Sequence, residues 1–493
     1  MKSERHRKIV FSAVMWCLLL TVPGGELTLR IIQTTDLHGS TDHGRLARVA
    51  ALAERETQAA GGVDKSLRID CGDLIQGTWE MTFPAGRELM IRFLNFLSYD
   101  VWVPGNHDFE FGASTLLPLL RQFRGSVLAL NLNWPGAPVQ PWKMFRRNQL
   151  NIAVIGIAYP ALDRMFIPPV LGRARPLDAG HELEKIMPQV MRARPDLIVL
   201  AVHAGEQTRF GPDFSLFDLI RKYPQIDLVL CGHSHQPEAG RFLGRNSWRM
   251  QSPALGNGIG VAEIVFDCER RRVVSLRTRL ERIDQVPEHP VIKKEVTQLK
   301  RKTFPAGRQP VADFPFELRV PEKNEHSSAL TELCGKAIMA ETGAEVVFYG
   351  VNSRFRISPG QLNPFLLFRL VPYADYPVVV GLNSDEIRRI LEEQVSLMRK
   401  KGMYQAPYGL RFTTLKRKLH AFQLDATGGP PEKGKIFRTA FSSYIFSGSG
   451  RCPVLHSIVK SKKAEYFPRT VREITTDYLR KNYPVKKNSG DEP

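Results

Sequence analysis

Short apolar runs alternate with amphipathic stretches over the first 285 residues of the chain. Runs at 27–35, 66–70, 101–104, 127–131, 152–158, 197–202 and 227–231 are rich in Ile, Val and Leu and end in Gly, Asp, Asn or His. A strand covered on both faces reads as such a continuous apolar run, and its polar end feeds a loop. Between several of these runs, apolar residues recur with helical spacing at 45–58, 87–97, 114–123, 181–191 and 215–222. The alternation predicts a layered α/β domain, in which ligands collect at loops leaving the carboxyl ends of strands.

The texture changes near residue 286. Val286-Pro287-Glu288-His289-Pro290 interrupts the pattern, 291–302 reads as a charged helix, and 303–310 carries two prolines and a glycine. A linker or connecting helix is expected over 286–312. A second α/β unit follows at 313–484, with helices near 329–341 and 384–398 and strands at 346–349, 378–381 and 438–446. The polar tail at 485–493 is expected to be disordered. At the other end stand a basic segment at 1–8, an apolar run at 9–22 and then Pro23-Gly24-Gly25. The run is too short to span a bilayer comfortably, so 1–25 predicts an export signal or N-terminal anchor and a periplasmic or cell-envelope location. The first domain is then 26–285.

Composition adds boundaries rather than a function. The 493 residues are 43% hydrophobic and 24% charged, which excludes a disordered, collagen-like or polytopic membrane chain. Lys and Arg number 69 against 50 Asp and Glu, a net charge of +19. That field favours phosphate esters, nucleic acid or an acidic membrane surface without choosing among them. Six cysteines with no Cys-x-x-Cys pair are too sparse for a disulfide scaffold. Cys71 and Cys231, each in an apolar run, read as buried thiols. Arg270-Arg271-Arg272 reads as a solvated turn.

Candidate chemistry sits at five strand exits. These are Thr34-Thr35-Asp36-Leu37-His38-Gly39, Asp70-Cys71-Gly72-Asp73, Pro104-Gly105-Asn106-His107-Asp108-Phe109-Glu110, Ala201-Val202-His203-Ala204-Gly205 and Cys231-Gly232-His233-Ser234-His235. Taken singly, each has an ordinary explanation as a turn, a cap or a core histidine. Taken as a set, they can converge on one sheet edge. An Asp-x-His pair offers a hard oxygen and an imidazole nitrogen, and Asp73 has two oxygens with which to bridge two cations. Asn106, His203, His233 and His235 complete two sites of mixed N/O character, suited to Zn, Mn, Fe or Co rather than to a calcium cage. Two such cations about 3.5–4 Å apart can clamp the attacking and leaving oxygens of an in-line phosphoryl displacement.

The ordered motifs Asp-Leu-His-Gly, Cys-Gly-Asp, Gly-Asn-His-Asp-Phe-Glu, Val-His-Ala-Gly and Gly-His-Ser-His resemble the calcineurin-like metallophosphoesterase superfamily. More narrowly, the chain resembles its 5′-nucleotidase family from about residue 27 to about 470. The resemblance implies a four-layer sandwich, two sheets flanked by helices, with a second α/β substrate-binding domain. It implies Asp36, His38 and His235 on one divalent metal, Asn106, His203 and His233 on the other, and Asp73 bridging. His107 matches the catalytic histidine, oriented by Glu110 where the family has Asp, with Asp108 as the other acid nearby.

In the second half, residues 378–387 and 391–393 match a family strand and helix. Tyr373 of Pro372-Tyr373 and Tyr444 fall where the family stacks two rings on the base. Such stacking contributes roughly 1–3 kcal/mol per base. The family's glycine loop appears as Gly350-Val351-Asn352-Ser353-Arg354-Phe355-Arg356, without consecutive glycines, and its Gly-Gly-Asp-Gly as Gly448-Ser449-Gly450-Arg451. Val351 and Arg451 are therefore expected to reshape the pocket. Arg354, with Arg356 second, is the expected phosphate clamp. The implied function is binuclear metal-dependent hydrolysis of nucleoside 5′-monophosphates or related nucleotides. The same site admits 2′,3′-cyclic nucleotides or nucleotide sugars. Two other readings are a metal-dependent nuclease and a non-catalytic nucleotide-binding protein. The expected partner is a small nucleotide, with no stable nucleic-acid partner and no transmembrane bundle.

Overall fold

The computed structural model describes residues 25–205, 209–211, 214–243, 247–322, 325–351, 353–398 and 404–486. Residues 1–24 of the expected export segment and the tail from 487 lie outside the described residues, as does Asn352.

Alternation along the first strand, Glu26–Thr34, sets the layers. Leu29 and Ile31 enter a core with Ile152, Val154, Val199 and Leu228, whereas Ile32 joins Leu46, Ala50 and Leu94 of the helices Arg45–Ala59 and Pro84–Phe96. The strand thus has helices on one face and a second sheet on the other. Its own sheet runs Arg272–Arg282, Gly258–Asp267, Glu26–Thr34, Ser66–Asp70, Val101–Trp102, Ser126–Leu128, Val139–Gln140. The facing sheet runs Glu238–Phe242, Trp248–Gln251, Leu228–Leu230, Leu197–Val202, Leu150–Ile157, Trp142–Arg147. On its outer face Ile155, Ile157, Leu200 and Val202 pack with Leu183 and Leu219 of Ala179–Arg192 and Leu216–Lys222. The four layers are those expected. Glu26–Thr34, Ser66–Asp70 and Val101–Trp102 run parallel in one sheet, Leu197–Val202 and Leu228–Leu230 in the other. Their carboxyl ends open on a common edge.

The connecting helix departs from the sequence reading. It runs Pro290–Arg308 and continues through Pro305, which costs about 3 kcal/mol in an ordinary helix interior. Its buried stripe of Ile292, Val296 and Leu299 packs against the first-layer helices, and Trp79 Nε1 donates to the Thr303 carbonyl at 3.2 Å. Tertiary packing outweighs the local breaker.

The second unit has a five-stranded sheet ordered Ala406–Tyr408, Val346–Tyr349, Ile436–Ser442, Pro377–Asn383, Glu465–Tyr466. Val347, Tyr349, Val379 and Ala440 face Ala329–Thr342 and Val471–Asn482. Val346, Phe348, Val380 and Phe441 face Ser384–Leu397 and Pro453–Val459. The strand expected at 438–446 stops at Ser442, whose hydroxyl accepts from the Ile445 amide and starts the short helix Ser443–Phe446. A serine cap there outcompetes the strand propensity of Tyr444-Ile445-Phe446.

The inter-sheet layer has a testable weight. Ile152 is fully buried between the sheets, so Ile152→Ala is expected to destabilise the first domain by about 2–5 kcal/mol. Chemical denaturation read by tryptophan fluorescence checks this; a loss below about 1 kcal/mol would mean that the layer is not close-packed.

Candidate active site

The five strand exits meet at the common edge, and the backbone there is bent in an unusual way. Asp36, His38, Asp73, His233 and His235 all have positive φ, at 51°, 48°, 55°, 70° and 55°. For residues with a Cβ, this left-handed region costs of order 1–3 kcal/mol each and persists only where surroundings impose it. Hydrogen bonds impose it here. The Asp36 amide donates to Gly72 O at 2.7 Å and the His38 amide to Asp73 O at 2.9 Å. The His233 amide donates to both Asp36 carboxylate oxygens at 3.0 Å. The Asp108 carboxylate accepts from the amides of Gly105, Asp73, Leu74 and Ile75 at 2.7–3.2 Å. Glycine is required at 105: a Cβ there would stand 2.3 Å from Asp73 Oδ1 and 2.8 Å from His203.

Two groups of donor atoms result, each within 4.8 Å: Asp36, His38, Asp73 and His235, and Asp73, His203 and His233. Asp73 belongs to both. Its Oδ2 lies 3.2 Å from His203 Nε2 and 3.7 Å from His38 Nε2. Asp36 Oδ1 is 3.2 Å from His235 Nε2. Asn106 Oδ1 completes the second group, 3.1 Å from His203 Nε2 and 2.9 Å from His233 Nδ1.

These residues fit a pair of divalent cations. His203 Nδ1 donates to the Cys71 carbonyl at 2.6 Å and His38 Nδ1 to the Gln76 carbonyl at 2.9 Å, so each ring turns its Nε2 inward. His38 and His235 face each other Nε2 to Nε2 at 3.1 Å, which aims both ring nitrogens at one point. The electrostatics agree. Burial opposes the charge on Asp73, yet His203 and His107 outweigh it and hold the carboxyl well below its usual range. Burial likewise opposes charge on His203 and His107, but Asp73 lifts them to about 10 and about 9. His233, half-buried and beside His203, falls to about 4 and is a neutral ligand type at ordinary pH.

Beside the cluster lies a cavity of about 320 Å³, walled by Asn106, His107, Glu110 and His233 on one side and by Tyr373 and Tyr444 on the other. His107 Nδ1 donates to Glu110 Oε2 at 2.9 Å. Asp108, the alternative acid, is committed to the four amides. The Tyr373 ring stacks on His107, with centroids 5.8 Å apart and planes at 26°, so one of its faces is already used. Tyr444 is 41% exposed at the cavity wall. Val351 lines the cavity. Arg354 is exposed and absent from the described lining, and Arg356 pairs with Glu317 and Glu322. The sequence reading passed over Tyr159, whose ring lies 4.5 Å from that of His233; its signal was its place just after the strand Leu150–Ile157. It also passed over Met165 and Phe166, which wall the cavity.

Comparison with known proteins follows this geometry. A calcineurin-like phosphoesterase profile matches residues 29–237, and a 5′-nucleotidase C-terminal domain profile matches residues 305–457. Snake venom 5′-nucleotidase of Gloydius brevicauda is 26% identical over 335 residues, covering 59% of this chain and 54% of that protein. The chain therefore spans about half the length of that relative. Protein UshA of Yersinia enterocolitica is 22% identical over 511 residues, covering 93% of this chain and 92% of that one. In fold, the solved structure of a 5′-nucleotidase precursor from Thermus thermophilus matches 95% of this chain and 100% of its own, with a TM-score of 0.65 at 21% identity. With both profiles matched in order and the sandwich and second α/β unit in place, the chain belongs to the calcineurin-like phosphoesterases that carry a 5′-nucleotidase C-terminal domain.

Proposed function

We propose that the chain hydrolyses nucleoside 5′-monophosphates or closely related nucleotides with two divalent metal ions, drawn from Zn, Mn, Co or Fe. Asp36, His38 and His235 hold one ion, Asn106, His203 and His233 the other, and Asp73 both. When bound, the pair supplies positive charge at the phosphoryl group and a nucleophile at neutral pH. The chain's own groups do the rest. His107 is committed to Glu110 through Nδ1, which leaves Nε2 to donate to the phosphoryl group or its leaving oxygen. Tyr444, and the free face of Tyr373, offer π-surfaces for a base. The observation that carries this reading is the shared cavity, because one space has candidate ligands in one wall and two tyrosines in the other. Export to the cell envelope belongs to the same proposal and is supported by the basic-then-apolar order of residues 1–22.

Phosphate release from a nucleotide panel with added Mn, Co, Zn or Mg tests the reading, with 2′,3′-cyclic nucleotides and nucleotide sugars included because the same chemistry would cleave them. Within it, Asp73→Asn is expected to lower metal content and to remove more than about nine-tenths of turnover, upward of 1.4 kcal/mol. Retention of more than a tenth would contradict bridging. His107→Ala is expected to cost about 10²- to 10⁴-fold in turnover with both metals kept; elemental analysis showing a lost metal would move His107 into the coordination shell.

Tyr444→Ala separates the base from the phosphate. The expected loss is about 5- to 150-fold in kcat/KM for nucleotides, the equivalent of roughly 1–3 kcal/mol of stacking. For p-nitrophenyl phosphate, which has no base to stack, kcat/KM should stay within about twofold. Equal losses on the two substrates would make the tyrosine structural and leave the nucleotide assignment without its support.

A further inference from the structure

We propose that Glu110 is a positioning residue that makes His107 competent only while the second α/β unit is seated against the first. The inference rests on the reading that His107 acts on the phosphoryl group.

The two carboxylate oxygens of Glu110 serve opposite sides of the seam. Oε2 accepts from His107 Nδ1 at 2.9 Å. Oε1 accepts from the backbone amide of Ala374, 264 residues away in sequence, at 2.6 Å. The carboxylate is 5% exposed, so water does not readily replace that amide. Tyr373, the residue before Ala374, stacks its ring on His107. One loop of the second unit therefore fixes both the partner of the imidazole and one of its faces.

That loop travels with its own unit. Arg472 Nη1 donates to the carbonyls of Val371 and Pro372 at 2.7 and 3.1 Å. The Val471 amide donates to Asp375 O at 2.7 Å, and the Tyr376 amide to Ser443 Oγ at 3.0 Å. Separating the units removes the Ala374 donor and the Tyr373 ring together and frees the imidazole to leave its productive rotamer. The residue type matters as well. An aspartate is shorter by one methylene, about 1.5 Å, and can serve the imidazole but not also the amide across the seam. A substrate that touches both units seats the loop as it binds, so base recognition is converted into orientation of His107.

The test uses the full-length, manganese-loaded enzyme and compares AMP with p-nitrophenyl phosphate. Glu110→Asp keeps an acid for His107 and gives up the seam contact, while Ala374→Pro removes the amide donor and leaves Glu110 intact. Each is expected to lower kcat on p-nitrophenyl phosphate about tenfold with KM changed less than about threefold, and to lower kcat on AMP less than about threefold, since bound AMP seats the loop. Equal losses on the two substrates, or a Glu110→Asp enzyme within twofold of wild type on both, would overturn the proposal. Should Ala374→Pro fail to fold, as thermal melting would reveal, the substrate ratio for Glu110→Asp decides alone. His107→Ala, assayed alongside, keeps the two failures apart: activity retained there would refute the role of His107 itself.

Discussion

Asp73 holds a carboxylate at 1% exposure where the carboxyl ends of the two sheets meet, and the rest of the site is arranged around that charge. Burying an ion costs several kcal/mol unless partners compensate. Here the compensation comes from His203 and His38 at 3.2 and 3.7 Å and from the His107 amide at 2.7 Å. Bringing those partners close requires chain reversals within one or two residues of the strand ends. Five candidate ligands consequently sit in the left-handed region, and Asp108 spends its carboxylate on four amides to hold the 73–75 turn. Strain and buried charge at one point are what a fold tolerates when a cation is to be bound there.

Among the described residues the second unit contributes no candidate metal ligand, yet it is not a detached lobe. Trp79 of the first domain packs edge-on against Phe365 and Phe368 of the second. Ser449 donates to the Arg164 carbonyl across the seam. With the cavity walled from both sides, the two units shape one space, and any molecule held there touches both.

How much of this was legible in the sequence follows from which forces are local. Buried parallel strands are apolar runs with polar ends, so the exits bearing Asp36, Asp73, Asn106, His203 and His233 could be read directly. The helix Arg45–Ala59 begins where its periodicity begins. The hairpin Gly258–Asp267 and Arg272–Arg282 was missed, because its outer strand is half-exposed and rich in arginine. The edge strands Trp142–Arg147 and Glu238–Phe242, and the inner strand Trp248–Gln251, escaped because they are short and mix charged with apolar residues. Pro305 looked like a helix end because the packing that overrides it lies elsewhere in the chain. Glu110 read as an orienter of His107, but its second partner, Ala374, leaves no trace in local pattern. Tyr373 could be placed by motif, whereas its stacking on His107 depends on how the two units dock.

The net charge of +19 is best understood by where it is not. Among the described residues, no lysine or arginine lines the cavity. Many basic side chains are instead paired away from it, as in the Arg30, Arg55 and Arg279 cluster with Glu56, Glu263 and Glu281, or in the turn where Arg270 and Arg271 meet Asp267 and Asp196. A protein that grips a nucleic-acid backbone needs cations along its groove. A cavity of about 320 Å³ instead falls in the size class of small-molecule sites, about 300–1,000 Å³. A phosphate dianion entering it would meet Glu110 and Asp375 in the walls, with His107, which Asp73 lifts to about 9 against its burial, as the cationic side chain facing them. Under the proposed reading, ions held around Asp73 would add to the charge of His107 at the same end of the cavity, so that binding and cleavage of a phosphate ester would draw on one cluster of positive charge.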